Sequence, residues 1–486
     1  MKIALVKVQD TTKDVGLVSV QYPINISYLA QVCLDLGCQT EVWDFCVEPF
    51  NEDYIKQKIK SFKPEIIGLS CVTPAINTGH QIAQWVKEVD ESILTLIGGV
   101  HVTCLPNETM EEFPCFDLGV LREAEDILPD IISAHDSRKS LSGIPGTVYR
   151  ENGGIVHAPP RELPDVNLIP YPNRDLLPVG WYSNQHASRG ISRKFWNIVE
   201  VDSSRGCPYP CTFCNVEITH GRSMRFRDPE NVHKEIEPCV KNLDTNFVIF
   251  NDSTFTINKQ RAVEIVKDLP GLGIQGYDIC AHVNTVDFPM LEAFAKSGCT
   301  KISFGVESGS DRVLKKIGKN ASQKTIRKAF QAARRAKIPI VEATFILGAD
   351  LHESEEDIDA TEKLIKEIQP DIVGVGIITP YPGTPQFEEI RQFCDMDKIP
   401  WDAYNIFTGS PPPWRIENFS SMELAQRRDN ILKSYYWNPG YILNRIFKIR
   451  SLSELSYWGD MAKSFYKLIV KPTTRSRAYK SSQKLA

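Results

Sequence analysis

The chain has 486 residues, too many for one hydrophobic core, and we therefore expect roughly two to four domains. It is 42% hydrophobic and 24% charged with a net charge of −5, which is ordinary for a soluble globular protein and gives no sign of a nucleic-acid partner. No apolar run reaches the roughly 18 residues of a membrane-spanning helix, and the 13 scattered cysteines favour reduced thiols in a cytoplasmic protein over a disulfide framework.

Residues 1–140 alternate between strand-like and helix-like segments. The predicted strands are KIALVKV, QTEVWDF, EIIGLS and ILTLIGG, and YLAQVCLDLG and HQIAQWVKEV are predicted helices between them. The opening MKIALVKVQD lacks the apolar region and cleavage site of a signal peptide. Short β–α units of this kind predict a parallel, doubly wound sheet, whose ligands lie beyond the carboxyl ends of the strands. Ser70 and the segment GGVH, Gly98 to His101, stand at two of these ends.

Residues 141–190 are rich in prolines and turn formers, as in ELPDVNLIPYPNRDLLP, and predict an ordered linker that lies over a surface.

Residues 191–395 form a second β/α series. The predicted strands are NIVEVDSS, NFVIFNDSTF, GYDICAHV, CTKISFGVESGS, PIVEATFILG and DIVGVGIITPYPGT, with a helix at SEEDIDATEKLIKEI. Five or six such units predict a complete or partial β/α barrel, whose active site lies at the carboxyl ends of the strands. The distinctive motifs all fall at these ends, so one shared site is expected. Residues 396–486 lack the alternation and predict a mostly helical carboxyl-terminal region.

The segment RGCPYPCTFCN places Cys207, Cys211 and Cys214 within eight residues, directly after the first strand of the second series. Thiolates are ligands of iron–sulfur clusters and of zinc. A purely electron-carrying cubane takes four cysteines, so three leave one iron free to bind a substrate. The alternatives are a zinc site completed by His220, three structural thiols, and a cluster with a remote fourth cysteine.

The spacing Cys-x₃-Cys-x₂-Cys, with an aromatic residue before the third cysteine, resembles the motif of the radical S-adenosylmethionine (radical SAM) enzymes. In that family three cysteines hold a 4Fe-4S cluster, and an electron from the cluster cleaves bound S-adenosylmethionine to methionine and a 5′-deoxyadenosyl radical. The resemblance implies that Cys207, Cys211 and Cys214 are the cluster ligands. It also implies an external electron donor of the flavodoxin or ferredoxin type.

Further segments resemble the same family. GVESGS resembles the segment after the fourth barrel strand and implies that Glu307 contacts the ribose of the cosubstrate, a salt-bridged glutamate being the alternative. FNDSTF implies that Asp252 lies near the methionine moiety, although the Gly-Gly-Glu of some relatives is missing. ILGADLHES implies a backbone contact at Gly348, although it departs from the commoner Gly-x-Pro form. TPYPGT is similar to the segment that closes such barrels.

The first domain resembles the Rossmann-like cobalamin-binding domain that precedes some radical SAM barrels, in the segments PEIIGLS, LTLIGGVHVTCLPNETM and FDLGVLREAE. This resemblance implies that Ser70, Gly98 and Gly99 contact the nucleotide tail of cobalamin, with His101 nearby. The usual Gly-Glu-Gly-Glu motif is Arg-Glu-Ala-Glu at residues 122–125, and the Asp-x-His-x-x-Gly ligand motif is missing. A domain of this fold without a ligand is the alternative.

Together the resemblances imply a cobalamin-dependent radical SAM enzyme that methylates an unactivated carbon of a small-molecule or lipid-like substrate. Ring closure or rearrangement with the same cofactors is one alternative. A tRNA methylthiotransferase is another, but its three extra cysteines are matched only by Cys33, Cys38 and Cys46, which fall in a predicted helix, its turn and a strand. The third alternative is a non-enzymatic cobalamin or metal sensor, which leaves the barrel motifs unexplained.

The end of the chain is basic, with ten lysines and arginines against two acids from Arg445 onward. In SYWGDMAKSFYKLIVK, apolar residues recur at helical spacing with lysines between them, at Trp458, Met461, Phe465 and Leu468. Such a helix predicts either packing on the barrel with a solvated basic face or peripheral contact with an anionic membrane. The second alternative would bring the enzyme to a lipid-like substrate.

Overall fold

The computed structural model describes residues 1–8, 21–183, 196–404 and 412–449, and in addition Leu455, Trp458, Gly459 and Ala462. The first sheet has the strand order β2-β1-β3-β4-β5-β6-β7. Its strands are β1 Lys2–Lys7, β2 Gln39–Asp44, β3 Ile66–Ser70, β4 Leu94–Gly98, β5 Leu118–Val120, β6 Thr147–Glu151 and β7 Gly154–His157. Strands β1 to β5 pair in parallel, and the order 2-1-3-4-5 places a topological switch point between β1 and β3.

Helices cover both faces of this sheet. They are α1 Ile24–Asp35, α2 Glu52–Phe62, α3 Ile76–Val89, α4 Val100–Cys104, α5 Pro106–Glu112 and α6 Leu128–Asp136, with a 3₁₀ turn at Thr73–Ala75. In β1, Leu5 belongs to the apolar cluster that includes α1 and α6, and Ala4 and Val6 belong to the cluster that includes α2 and α3. Burial on both faces explains why the strands are continuous apolar runs, and it confirms the doubly wound fold.

Strands β6 and β7 lie within the segment 141–190 that the sequence analysis treats as a linker. They form a hairpin and add two antiparallel strands to the first sheet, β6 pairing with β5. Both turn residues, Asn152 and Gly153, have positive φ angles of 50° and 79°, which matches the two-residue type I′ turn of such hairpins.

The second sheet is a six-stranded parallel sheet in chain order, β8-β11-β12-β13-β14-β15. Its strands are β8 Ile198–Val201, β11 Phe247–Phe250, β12 Gly276–Ala281, β13 Cys299–Glu307, β14 Ile340–Leu347 and β15 Ile372–Ile377, and a small antiparallel pair, β9 Ser204–Arg205 and β10 Arg225–Phe226, flanks the cysteine segment. Among the residues described, β8 and β15 do not pair with each other, so the sheet is an open, partial barrel. This confirms the predicted architecture of the second domain.

The helices of the second domain alternate with its strands. They are α7 Val179–Ser183, which precedes the sheet, α8 Val216–His220, α9 Pro229–Leu243, α10 Lys259–Leu272, α11 Phe288–Lys296, α12 Asp311–Lys316, α13 Gln323–Arg335, α14 Glu355–Ile368 and α15 Pro385–Ile390. The two domains share one apolar core, in which Tyr22 and Tyr182 meet edge to face at 5.3 Å. The Tyr182 hydroxyl also donates to Asp44 at 2.6 Å, which joins α7 to the end of β2.

The carboxyl-terminal region contains 3₁₀ turns at Met396–Lys398 and Trp401–Ala403 and the helices α16 Ser421–Tyr436 and α17 Pro439–Lys448. The Tyr436 hydroxyl accepts from the Val373 amide at 2.8 Å and donates to the Val373 carbonyl at 2.9 Å, which fixes α16 on the edge strand β15. Most of the predicted basic helix, including Met461, Phe465 and Leu468, lies outside the described residues. In the part of the chain that is described, no helix has the length and apolarity needed to cross a bilayer.

Candidate functional site

The cysteine segment lies at the carboxyl end of β8, between β9 and β10. Its backbone is held at both ends, because the Cys207 amide donates to the Gly221 carbonyl at 3.2 Å and the Thr212 amide donates to the Ile317 carbonyl at 3.0 Å. The Cys214 amide donates to the Cys211 carbonyl at 3.1 Å, which closes the turn between these two cysteines. All three are free, partly exposed thiols. The predicted ligands therefore lie together on one loop at the mouth of the partial barrel.

The thiols of this loop must lose their protons before they can bind a metal. Burial raises the pKa of Cys211 to about 12 and also raises the pKa of Cys214, so a bound metal must displace their protons. No set of three or more His, Cys, Asp or Glu side chains in the described residues surrounds a single metal position. His220, the fourth ligand of the zinc alternative, donates from Nδ1 to Glu123 Oε1 at 2.8 Å.

A chain of contacts joins the cysteine loop to Glu307. The Tyr209 ring stacks on the His282 ring with centroids 3.9 Å apart and planes inclined by 13°. His282 Nε2 donates to the Lys319 carbonyl at 2.9 Å, and burial lowers the pKa of this histidine to about 4, so it is neutral at neutral pH. Lys319 Nζ forms an ion pair with Glu307 Oε1 at 2.8 Å, and both side chains are buried. The loop and the acidic residue predicted to bind the cosubstrate thus belong to one packed unit.

Glu307 ends β13 with a positive φ of 69°, at an irregularity in the pairing of β13 with β14. A residue other than glycine in this conformation is uncommon, and unlike Lys63, Asp244 and Gln369 of this chain, Glu307 does not cap the end of a helix. The structure contains the ion pair of the salt-bridge alternative, with Lys319 as the partner. Contact with the cosubstrate ribose stays a prediction.

We expect Glu307→Gln to weaken S-adenosylmethionine binding by about 1–3 kcal/mol, the loss of one charge-assisted hydrogen bond. Glutamine can still accept from Lys319, so unfolding should change less than binding. Equilibrium binding and thermal unfolding measure the two effects. The control is Glu342→Gln, which removes a carboxylate paired with Lys301 at 3.2 Å near the amino end of β14. Unchanged affinity with lowered stability would leave Glu307 a purely structural role.

Asp252 and Gly348 have defined contacts within the protein. Asp252 accepts from the Ser203 amide and hydroxyl, both at 2.7 Å, and from the Ser204 hydroxyl at 2.5 Å. Its buried carboxylate therefore ties the ends of β11 and β8 together. Gly348 has a φ of 77°, and its amide donates to Glu353, whose burial raises the pKa of that carboxyl to about 8. Contacts of Asp252 and Gly348 with the cosubstrate stay predictions.

A crevice of about 500 Å³ lies at the carboxyl ends of β3 and β4, beside the switch point of the first sheet. Ser70, Gly98 and Gly99 line it together, as the sequence analysis requires of a common ligand site. Asn215 and His220, which follow the third cysteine, also line it. A Cβ on Gly98 would have no neighbour closer than 3.9 Å, so this glycine leaves space beside the crevice. The lining fits the expected cobalamin contacts.

His101 is separated from these three residues. It does not line the crevice, and its side chain is fully buried with Nδ1 3.4 Å from the Thr73 hydroxyl. Burial lowers the pKa of His101 to about 4. Helix α4 starts directly after Gly99, so it turns Val100 and Thr103 toward the crevice and His101 into the core. The crevice lining gives no support for His101 as a cobalamin contact, and that contact stays a prediction.

We expect Gly98→Val to lower cobalamin binding without unfolding the protein, because the new side chain has room in the fold and projects beside the crevice. Gly99 is a poorer test site, since its φ is 99° and a Cβ would lie 2.6 Å from the Cys71 carbonyl oxygen. Cobalamin retained through gel filtration, read by its visible absorbance, measures the effect. Gly271→Ala, on an exposed position of α10 with open space, is the control. If Gly98→Val retains cobalamin as the unmodified protein does, Gly98 is not part of the cobalamin site.

The acidic turn after β5 joins the two domains. Glu123 accepts from Arg205 Nη1 at 2.8 Å, from Arg225 Nη1 at 2.9 Å and from His220 Nδ1 at 2.8 Å. Glu125 forms an ion pair with Arg205 Nη2 at 2.7 Å. Arg205, His220 and Arg225 stand on the two sides of the cysteine loop, so the first domain holds that loop directly.

Sequence reasoning missed the partners in these networks. Arg205 stands two residues before Cys207, and this closeness to the cysteine motif was the one signal in the sequence that could have identified Arg205. No local pattern marks Lys319 or Arg225. Cys33 and Cys38, named for the methylthiotransferase alternative, are buried in the core of the first domain, and burial raises the pKa of Cys33 to about 12.

Comparison with known proteins agrees with this geometry. The model of the radical SAM superfamily matches residues 201–365, and that of the B12 binding domain matches residues 15–132. An uncharacterized methyltransferase of Pyrococcus horikoshii is 30% identical over 428 residues, which cover 88% of this chain and 90% of that protein. The anaerobic magnesium-protoporphyrin IX monomethyl ester cyclase of Rubrivivax gelatinosus is 28% identical over 434 residues, which cover 87% of this chain and 74% of that protein.

Two solved structures share the fold. OxsB, a cobalamin-dependent S-adenosylmethionine radical enzyme solved with aqua-cobalamin and S-adenosylmethionine bound, has a TM-score of 0.73 at 18% identity, over 100% of this chain and 74% of OxsB. The radical S-adenosylmethionine methyltransferase TsrM of Kitasatospora setae has a TM-score of 0.68 at 18% identity, over 80% of this chain and 76% of TsrM.

Proposed function

The chain belongs to the radical SAM enzymes that carry a B12-binding domain, and on this premise we propose that it transfers a methyl group to a carbon atom of a small molecule. One observation carries the proposal: the crevice lined by Ser70, Gly98 and Gly99 is also lined by Asn215 and His220, which follow the cysteine loop. A methyl donor in the crevice and a radical source at the loop would therefore face the same substrate. The Pyrococcus horikoshii relative, described as a methyltransferase, supports the same reaction class.

In this proposal Cys207, Cys211 and Cys214 hold a 4Fe-4S cluster, the end of β13 at Glu307 binds S-adenosylmethionine, and the crevice holds cobalamin. When bound, these groups supply a radical that removes hydrogen from carbon and a methyl group that replaces it, with the electron from an external donor of the flavodoxin or ferredoxin type.

The protein's own residues orient these sites. The Lys319–Glu307 pair places one buried charge of each sign beside the thiols, and both charges act on the Cys211 thiol. Glu123, bonded to arginines on both sides of the loop, fixes the first domain against it. A constant separation between methyl donor and radical source is what a transfer between them requires.

Ring closure is a second candidate, supported by the Rubrivivax gelatinosus relative, which is a cyclase and matches 87% of this chain. The fold and the three candidate cofactor sites serve both reactions equally. The two differ in whether the cosubstrate's methyl group appears in the product, which makes the outcome measurable.

The substrate class includes lipid-like molecules if the protein contacts a membrane. Helix α17 exposes Leu443, Ile446 and Phe447, the last to 83%, and the chain that follows is basic. We propose that this face of α17 contacts an anionic membrane surface. Co-sedimentation with anionic and neutral vesicles tests the contact, with Ile446→Glu as the variant. Equal binding to both vesicle types, or by both proteins, would remove this reason to expect a lipid-like substrate.

The reaction is tested with protein reconstituted anaerobically with iron, sulfide and cobalamin. It is given methyl-labelled S-adenosylmethionine, a reductant and an extract of the native host. Methyl transfer predicts 5′-deoxyadenosine together with label in a new small molecule. An unlabelled product of changed mass would indicate cyclisation. Bound cobalamin without any cleavage of S-adenosylmethionine would indicate the sensor alternative.

A further inference from the structure

Arg122 holds a backbone conformation that an arginine adopts only at a cost. Its φ is 65°, in the left-handed region, where glycine has no steric penalty and a side chain with a Cβ has one. The Arg122 amide donates to the Thr103 hydroxyl at 2.9 Å, a contact that any residue type could make. Lys63 and Arg138 share this conformation, so the strain alone does not mark a site, and the surroundings of the Arg122 side chain decide.

The Arg122 side chain is a cation without a partner. Within the part of the chain that the structure describes, its guanidinium forms no ion pair and no hydrogen bond, whereas Arg205 and Arg225 are both paired with Glu123. The nearby carboxylate of Glu217 is paired with Arg222 at 2.7 Å. The permanent charge of Arg122 is therefore available to a ligand.

Two cavities meet at this residue. Arg122 lines the crevice with the predicted cobalamin contacts, and it also lines a second cavity of about 530 Å³ whose wall includes Cys214. Its Nη2 lies 3.4 Å from the position of a Cβ on Gly221, at the end of the cysteine loop. Leu121, Ile218 and Pro385 give the second cavity an apolar wall, and Glu217, whose carboxylate is paired with Arg222, lines it as well.

We propose that Arg122 binds an anionic oxygen group, a carboxylate or a phosphate, of the substrate in this second cavity. The inference rests on the proposed methyl transfer and deepens it, because the substrate must reach both the crevice and the cysteine loop, and Arg122 lies between them. The apolar wall fits an apolar body next to the anionic group. A guanidinium is the side chain best suited to such a group, since it donates two parallel hydrogen bonds.

The test uses the full chain and compares Arg122→Gly with Arg138→Gly, which replaces another exposed arginine of positive φ, 53°, that lines neither cavity. Arg122→Gly relieves the backbone strain, so its thermal unfolding midpoint should equal or exceed that of the unmodified protein. In the reconstituted reaction with host extract it should incorporate roughly ten- to a hundredfold less methyl label, the effect of losing a charge-assisted pair. The labelled product made by the unmodified protein should bind an anion exchanger. Arg138→Gly should label as the unmodified protein does.

A second readout needs no activity. Inorganic phosphate, at matched ionic strength, should raise the unfolding midpoint of the unmodified protein and of Arg138→Gly but not of Arg122→Gly. Equal phosphate effects on all three proteins, or a neutral labelled product, would overturn the assignment. If Arg122→Gly loses affinity for cobalamin or S-adenosylmethionine, Arg122 binds an anionic group of that cofactor, and the substrate assignment is wrong. If the unmodified protein labels nothing, the proposed methyl transfer fails, and the phosphate experiment still decides whether Arg122 binds an anion.

Discussion

Replacement of any one of Cys207, Cys211 and Cys214 by alanine is expected to abolish cleavage of S-adenosylmethionine. A cluster with two protein ligands loses iron or changes its potential, and with it the ability to reduce the cosubstrate. The fold should persist, because the hydrogen bond from the Cys207 amide to the Gly221 carbonyl involves only the backbone, and alanine keeps it. Iron and sulfide per chain, the visible absorbance of the cluster, and 5′-deoxyadenosine formed per chain measure the effect.

Cys115→Ala is the matched control, since Cys115 is also a partly exposed free thiol but belongs to the first domain. It should bind iron and cleave the cosubstrate as the unmodified protein does. Cleavage at the normal rate by any one of the three loop variants after reconstitution would show that the cluster, or the metal, is held elsewhere.

The two sheets were predictable because their strands are apolar runs buried on both faces, and such runs keep their signal whatever packs on them. The hairpin of β6 and β7 was missed for a different reason. Its signal, the turn ENGG between TVYR and IVH, is strong by itself, but the prolines on its carboxyl-terminal side made the whole segment resemble a linker. An antiparallel pair at the edge of a parallel sheet also breaks the β–α alternation on which the prediction depended.

The candidate site was predictable only where its residues are close in the sequence. The cysteine spacing and the glycines after β4 are local, and the structure places each group on one loop. The ion pair of Glu307 with Lys319 spans 12 residues, and the contact of Glu123 with Arg225 spans 102 and crosses between domains. Contacts of this kind depend on how the domains pack, which no periodicity or spacing encodes. His101 shows the same limit, because the start of a short helix decided which way its side chain faces.

Glu123→Ala is expected to destabilise the protein by about 3–5 kcal/mol, the range for removing one partner from a buried charged network. The Glu123 side chain is 2% exposed, and its loss leaves Arg225 and His220 without an anionic partner, while Arg205 keeps Glu125. The first domain is then no longer held to the cysteine loop, so cobalamin and iron retention should fall together. Denaturant unfolding followed by tryptophan fluorescence, with metal and cobalamin analysis, measures both effects.

The control is Glu217→Ala, which breaks an ion pair with Arg222 in which both side chains are 51% exposed, and it should change stability by about 1 kcal/mol or less.

The effect of Glu123→Ala should also depend on pH. Burial alone raises the pKa of Glu123, but the hydrogen bonds from His220 and Arg225 and the charge of Arg205 lower it well below its ordinary value of 4.5. A carboxyl with a lowered folded-state pKa stabilises the protein fully above that ordinary value and loses its contribution as the pH falls below it. The stability difference between Glu123→Ala and the unmodified protein should therefore be constant near neutral pH and shrink below about pH 4.5. A destabilisation no larger than that of Glu217→Ala, or one that does not shrink in acid, would mean that this network does not hold the two domains together.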